Sequence, residues 1–227
     1  NSHNIHFQNV YTGRVFIGSE KKSYLGQNNV IIDNLPISHV NSPKFSDINK
    51  LTKEFQSAIK WLYKYGITTG TDKTHYSPNK VVTRQQMATF LYRQDGDKDW
   101  TNINCGFVDV NKLSTEAKKA ICFLKETGRT TGTDSTHFSP QKAITRQQMV
   151  VFLVRFFAHY YSKEFRVPCG FLDTKSLDLF SQVSICYAKA AGITTGTDKT
   201  HFSPKKAVTR GQMAAFLKRE NNWDRDY

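Results

Sequence analysis

The chain has 227 residues, a formal net charge of +13 and a pI of about 9.6. That charge points to an anionic partner, whether nucleic acid, acidic lipid or acidic polysaccharide, and does not choose among them. No apolar run approaches the eighteen or more residues of a membrane span, and the chain opens at Asn1 without a methionine or signal sequence, as expected of a piece of something longer.

Residues 1–42 stand apart from the rest. Between Val10 and Ile32 two strand-like pieces flank Gly26-Gln27-Asn28-Asn29, which predicts a β-hairpin or the tail of an upstream domain. From there on, one unit is written three times. Its clearest segment starts at Gly66, Gly128 and Gly192, a spacing of 62 and then 64 residues. A near-constant period means three copies of one supersecondary unit that bury their apolar faces against one another. The expected modules are residues 43–102, 103–166 and 167–227. Modules of this size are marginal alone, so mutual packing is expected.

Each copy opens on an aromatic-x-Asp step: Phe45 to Asp47, Phe107 to Asp109, Phe171 to Asp173. We read these aspartates as structural, as caps or salt-bridge partners. A helical stretch follows. Phe55, Ala58, Ile59 and Leu62 form an apolar stripe at helical spacing, repeated by Ala117, Ala120, Ile121 and Leu124. The third copy keeps Ile185 and Ala188 but has Ser181 and Ser184. Gly66, Gly128 and Gly192 are the expected C-terminal glycines.

A Gly/Thr-rich turn then runs to Ser77-Pro78, Ser139-Pro140 and Ser203-Pro204. The second helix starts on a capping-box signature, Thr83 to Gln86, Thr145 to Gln148 and Thr209 to Gln212. Met87, Phe90 and Leu91 and their counterparts supply its buried face. Phe156 to Lys163 reads as an aromatic and basic helical continuation. The predicted fold class is mainly α, three helix–loop–helix repeats.

The cysteines follow the repeat. Cys105 and Cys122, like Cys169 and Cys186, are 17 residues apart, and the first copy has Pro43 and Lys60 at both positions. Paired presence and paired absence predict the bridges Cys105–Cys122 and Cys169–Cys186, hence an oxidising, extracellular setting. Zinc is the rival reading, but close C-x-x-C-type ligand pairs are missing.

This order of features, Phe-x-Asp, amphipathic helix, Gly-Ile-x-x-Gly, aromatic-x-Pro, then Thr-Arg before a Phe-Leu helix, resembles the S-layer homology domain family over about residues 43–220. The resemblance implies a pseudo-threefold spindle with grooves between modules. In similar proteins such grooves bind secondary cell-wall polysaccharide, often bearing acidic ketal-pyruvate sugars, and fasten a secreted protein to the bacterial wall. The family's Thr-Arg arginine falls on Arg84, Arg146 and Arg210. A guanidinium fork suits a carboxylate, and the exposed N–H groups of a helix start would favour the same anion. Gly70, Gly132 and Gly196 would let a sugar approach the backbone. Lys80, Lys142 and Lys206 would add charge, and Trp61, Phe123 and Tyr187, equivalent first-helix positions, would line grooves or pack in the core.

The chain departs from the family pattern after Thr-Arg, where Gln-Gln or Gly-Gln replaces Ala-Glu. It also departs in the turn, where Thr-Asp-Lys/Ser-Thr-His replaces Pro-Asp-Gly, and it lacks the tryptophan at the head of the first helix. His75, His137 and His201 sit in those turns, where they could bond their own backbone, touch sugar or gather a metal; no metal or cofactor is expected. The predicted function is a non-catalytic wall anchor at the cell surface, with no nucleic acid and no membrane insertion. The alternative is the targeting part of a wall-active enzyme whose catalytic domain lies outside this chain. Nucleic-acid binding fits the charge but not the disulfides, and no recognised motif supports it.

Overall fold

The structure is a computed structural model and describes residues 41–95, 100–157 and 169–223. The expected N-terminal hairpin and the part of the expected helical continuation from 158 to 163 fall outside those residues. What is described is helical. The first helices of the three modules are α1 (Lys53–Lys64), α3 (Thr115–Glu126) and α5 (Leu179–Ala190). The second helices are α2 (Arg84–Asp95), α4 (Arg146–Phe157) and α6 (Arg210–Trp223).

Local chemistry sets these boundaries. Thr52, Ser114 and Asp178 cap the first helices, their side chains accepting from the N–H of Phe55, Ala117 and Ser181; such a cap contributes about 1 kcal/mol. The helices end on Gly66, Gly128 and Gly192 at φ 70°, 72° and 67°, the left-handed C-terminal position. The capping box forms in all three second helices: Gln86 N–H donates to Thr83 Oγ1 at 3.3 Å while Thr83 N–H donates to Gln86 Oε1 at 3.1 Å. The pairs Thr145/Gln148 and Thr209/Gln212 do the same.

Packing groups the helices across the sequence repeat. Helix α2 lies on α3, α4 on α5, and α6 returns to α1, so the three modules close a ring. At its centre the backbones of Val82, Ile144 and Val208 form a triangle. Val82 N–H donates to Val208 O at 2.9 Å, Val208 N–H to Ile144 O at 3.0 Å, and Ile144 N–H to Val82 O at 3.0 Å. All three side chains are fully buried, and one continuous apolar core draws on every module. The expected pseudo-threefold arrangement is what the chain adopts.

Both predicted disulfides are present, each with a Cα–Cα distance of 5.2 Å. Beside them Lys125 and Lys189 donate to the carbonyls of Cys105 and Cys169 at 2.8 Å and lie over the rings of Phe107 and Phe171. The first module, which has no bridge, places Tyr63 at the corresponding position. Its ring meets Phe45 edge-on at 5.5 Å.

Candidate binding grooves between the modules

Each aromatic-x-Asp step anchors its own module's turn. Asp47 Oδ1 and Oδ2 accept from the N–H groups of Tyr76 and Ser77 at 3.0 and 2.7 Å. Asp109 and Asp173 repeat both bonds. This holds Ser77, Ser139 and Ser203 at φ 57–59°, a left-handed conformation rare for a residue with a side chain. Each serine Oγ also pairs with a turn threonine, Thr71, Thr133 or Thr197. The residue before a proline is usually extended, so this turn was not legible in the sequence.

The fixed turns receive the arginines. Arg84 Nε donates to Phe138 O of the second module, Arg146 Nε to Phe202 O of the third and Arg210 Nε to Tyr76 O of the first, each at 2.7 Å. Every guanidinium stacks on two rings: Arg84 on Phe138 and Phe152, Arg146 on Phe202 and Phe216, Arg210 on Tyr76 and Phe90. The three side chains are 3–5% exposed. Burial lowers each guanidinium from its ordinary value, and Asp109, Asp173 and Asp47 oppose that shift at their respective junctions. The sequence placed arginine at the junctions; the structure makes it the clasp that closes them. Arg146 Nη2 also donates to Thr194 Oγ1 at 3.3 Å, whereas Nη2 of Arg84 and of Arg210 is buried without a partner.

Several expected contributions take another form. The first-turn N–H groups of the second helices are already used, so those helix starts are not open anion sites. Arg84 N–H donates to Lys142 O, Gln85 N–H to Pro140 O and Gln86 N–H to Thr83 Oγ1. The other junctions repeat this, with Lys206, Pro204, Lys80 and Pro78 as carbonyl acceptors. Gly70, Gly132 and Gly196 have φ 85–89°, and a Cβ there would lie within about 2.6 Å of two loop carbonyls and the Phe45, Phe107 or Phe171 ring. The missing side chain makes room for the protein itself. Phe123 is core, 3% exposed and packed on Tyr92, Trp100 and Phe156. Trp61, beside Tyr65, and Tyr187 are half-buried. Lys80, Lys142 and Lys206 are exposed.

Each turn histidine bonds the aspartate of its own turn, His75 Nδ1 to Asp72, His137 to Asp134 and His201 to Asp198, at 3.0–3.1 Å. Among the described residues no three His, Cys, Asp or Glu side chains gather as metal ligands, and no described helix is long and apolar enough to cross a membrane.

The junctions differ at the residue after the arginine. Gln85 accepts from Gln141 Nε2 across the first at 3.2 Å, and Gln147 donates to Ser181 Oγ across the second at 2.8 Å. Gly211 makes room for the Phe55 ring at the third. The glycine after Thr-Arg in that copy thus fits the Phe55 ring. Within the third module an open depression of about 340 Å³ is lined by Asp173, Ser176, Leu177 and, from the turn, residues Ser203 to Lys206.

The S-layer homology domain model matches this chain at residues 44–88, 106–150 and 182–214. The chain belongs to that family. It is 33% identical over 187 residues to an endoglucanase of Bacillus sp. strain KSM-635, covering 79% of this chain and 19% of that protein. An amylopullulanase of Thermoanaerobacterium thermosulfurigenes is 29% identical over 71% of this chain and 9% of its own length. A surface-layer 125 kDa protein of Lysinibacillus sphaericus is 25% identical over 78% of this chain and 15% of its own. The chain spans less than a fifth of each of these relatives.

Proposed function

We propose that this chain is a non-catalytic anchor that fastens a secreted bacterial protein to the cell wall by binding an anionic wall polysaccharide in the grooves between its modules. One observation carries the reading: the same region recurs in an endoglucanase, an amylopullulanase and a surface-layer protein. A surface-layer protein and two glycan-degrading enzymes share no single reaction, and attachment is a function that all three can use. The net charge of +13 and the exposed Lys80, Lys142 and Lys206 at the three junctions fit an acidic polymer. Arg84, Arg146 and Arg210 hold the junctions from within. The two enzyme relatives also favour the second reading, in which the anchored partner is a wall-active or polysaccharide-degrading domain outside this chain.

Co-sedimentation with purified bacterial walls tests the anchor. Binding is expected to weaken as salt rises and to disappear once the non-covalent glycopolymer is stripped from peptidoglycan. Equal binding to bare peptidoglycan would overturn the polysaccharide reading.

A further inference from the structure

In its C-terminal half, each second helix carries a further arginine, and two of the three are satisfied within the protein. Arg93 Nε and Nη2 donate to Glu116 Oε1 and Oε2 at 2.7 and 2.8 Å, and its Nη1 donates to Ile67 O at 3.2 Å. Arg219 Nε donates to Glu54 Oε1 at 2.7 Å and its Nη1 to Ile193 O at 3.0 Å. The third equivalent is Arg155 of α4. Where the first helices of the other modules read Lys53-Glu54 and Thr115-Glu116, α5 reads Leu179-Phe180. Arg155 therefore lies over the Phe180 ring, 5.0 Å from its centroid, and among the described residues it has neither a carboxylate nor a carbonyl acceptor. It is half-buried, while Leu179 and Phe180 are 66% and 38% exposed.

We propose that Arg155, Leu179 and Phe180 form a docking patch for an acidic protein partner, which presents a glutamate or aspartate to Arg155 and an apolar side chain to Leu179 and Phe180. A guanidinium stays charged at every working pH, and at the two other junctions the same arginine takes a carboxylate. The partner's acid fills the place that Glu54 and Glu116 fill there, through the forked, charge-assisted bonds that Arg93 makes. The apolar half of the patch favours protein over sugar. Leu179 has no flat ring to stack on a sugar face, whereas covering an exposed leucine with another apolar side chain removes its surface from water. Arginine beside an aromatic ring is also the pairing that anchors protein interfaces. A second copy of this chain is a poor occupant, since two bodies of net charge +13 repel each other. The patch uses none of the arginines and lysines assigned above to wall binding.

The test is NMR titration of the isotope-labelled full chain with the peptide acetyl-Phe-Glu-Leu-Glu-amide, with acetyl-Phe-Gln-Leu-Gln-amide and with a hexuronic-acid trisaccharide. The acidic peptide is expected to shift the Arg155 Nε–H signal with a Kd of about 1 mM, and the other two probes to bind about tenfold more weakly or less. Phe180→Glu, which restores the ion pair of the other junctions, should weaken the acidic peptide about tenfold, as should Arg155→Gln. Leu179→Thr, the residue of the second module, should weaken it about fivefold, and the charge-matched control Lys60→Gln should stay within about twofold. No Arg155 shift up to about 10 mM acidic peptide overturns the proposal, and so does equal binding of the two peptides. Undiminished binding by Phe180→Glu and Leu179→Thr overturns it as well. A trisaccharide that binds through Arg155 more tightly than the peptide makes the patch a glycan site instead. Both variants should sediment with bacterial walls as the wild type does; joint loss of wall and peptide binding would merge the patch with the wall-binding surface and also overturn the proposal. Thermal unfolding checks the fold of each variant, and Leu179→Thr, at a largely exposed site, carries the test if Phe180→Glu does not fold.

Discussion

Each junction arginine meets a carbonyl, two aromatic rings and near-complete burial at once. Arg84→Ala leaves the Phe138 carbonyl without its donor and vacates the space between Phe138 and Phe152. The expected loss is about 2–4 kcal/mol, adding an unmade buried hydrogen bond to a lost cation–π contact. Lysine recovers little of it, because an ammonium cannot reproduce the planar stack. Denaturant unfolding of Arg84→Ala and Arg84→Lys checks both statements. The arginines stood out in the sequence because they recur; their burial did not, because the acceptors lie 54, 56 and 134 positions away. Separation along the chain also hid the partner of Gly211. Its neighbour Phe55 sits in the first module, so a change that reads locally as a departure in one motif is a fit between two modules.

Among the elements, the polar turns carry a pH signature. Asp72, Asp134 and Asp198 are held at about 2, below the ordinary 3.8, first by the N–H groups of Thr74, Thr136 and Thr200. A carboxyl with a depressed folded value stabilises above its unfolded value and loses that contribution as pH falls through the folded one. The turns should therefore hold at pH 4 and above and weaken between about 4 and 2. Replacing all three aspartates by asparagine is expected to lower Tm at neutral pH and to flatten its decline over that acid window. The bridges act on a different element, tying Cys105 and Cys169 to the first helices of the second and third modules. Cys105→Ser with Cys122→Ser should cost about 3 kcal/mol in unfolding free energy for a loop of this size, read from denaturant midpoints. Helix starts and stops were legible because caps are local chemistry. The left-handed Ser-Pro step was not, since Asp47, Asp109 and Asp173 impose it from 30 residues upstream.

For the whole molecule, the number of modules was legible from the period, while the exchange of helix partners across repeats was not, because the period is the same whichever neighbour a helix chooses. The third junction joins the last helix to the first and is built differently from the others. Tyr76 Oη donates to Arg210 O at 2.9 Å, a bond that Phe138 and Phe202 cannot make. Burial pushes the Tyr76 phenol above its ordinary value, so it stays a donor. Arg219 pairs with Glu54 as Arg93 does with Glu116 at the first junction, but only here does an aromatic ring, Phe55, occupy the room left by a glycine, Gly211. Gly211→Gln should therefore destabilise the wild type by overpacking, and Phe55→Ala with Gly211→Gln should recover part of the loss, giving a coupling of about 1–3 kcal/mol in a double-mutant cycle. The covalent chain passes once around the ring, so this junction alone is crossed by no peptide bond, and one of its two walls is the module without a disulfide. Mechanically the anchor is a split washer. A pull applied between its first and last helices acts directly on the Tyr76–Arg210 seam, whereas the other two junctions are also backed by the covalent chain.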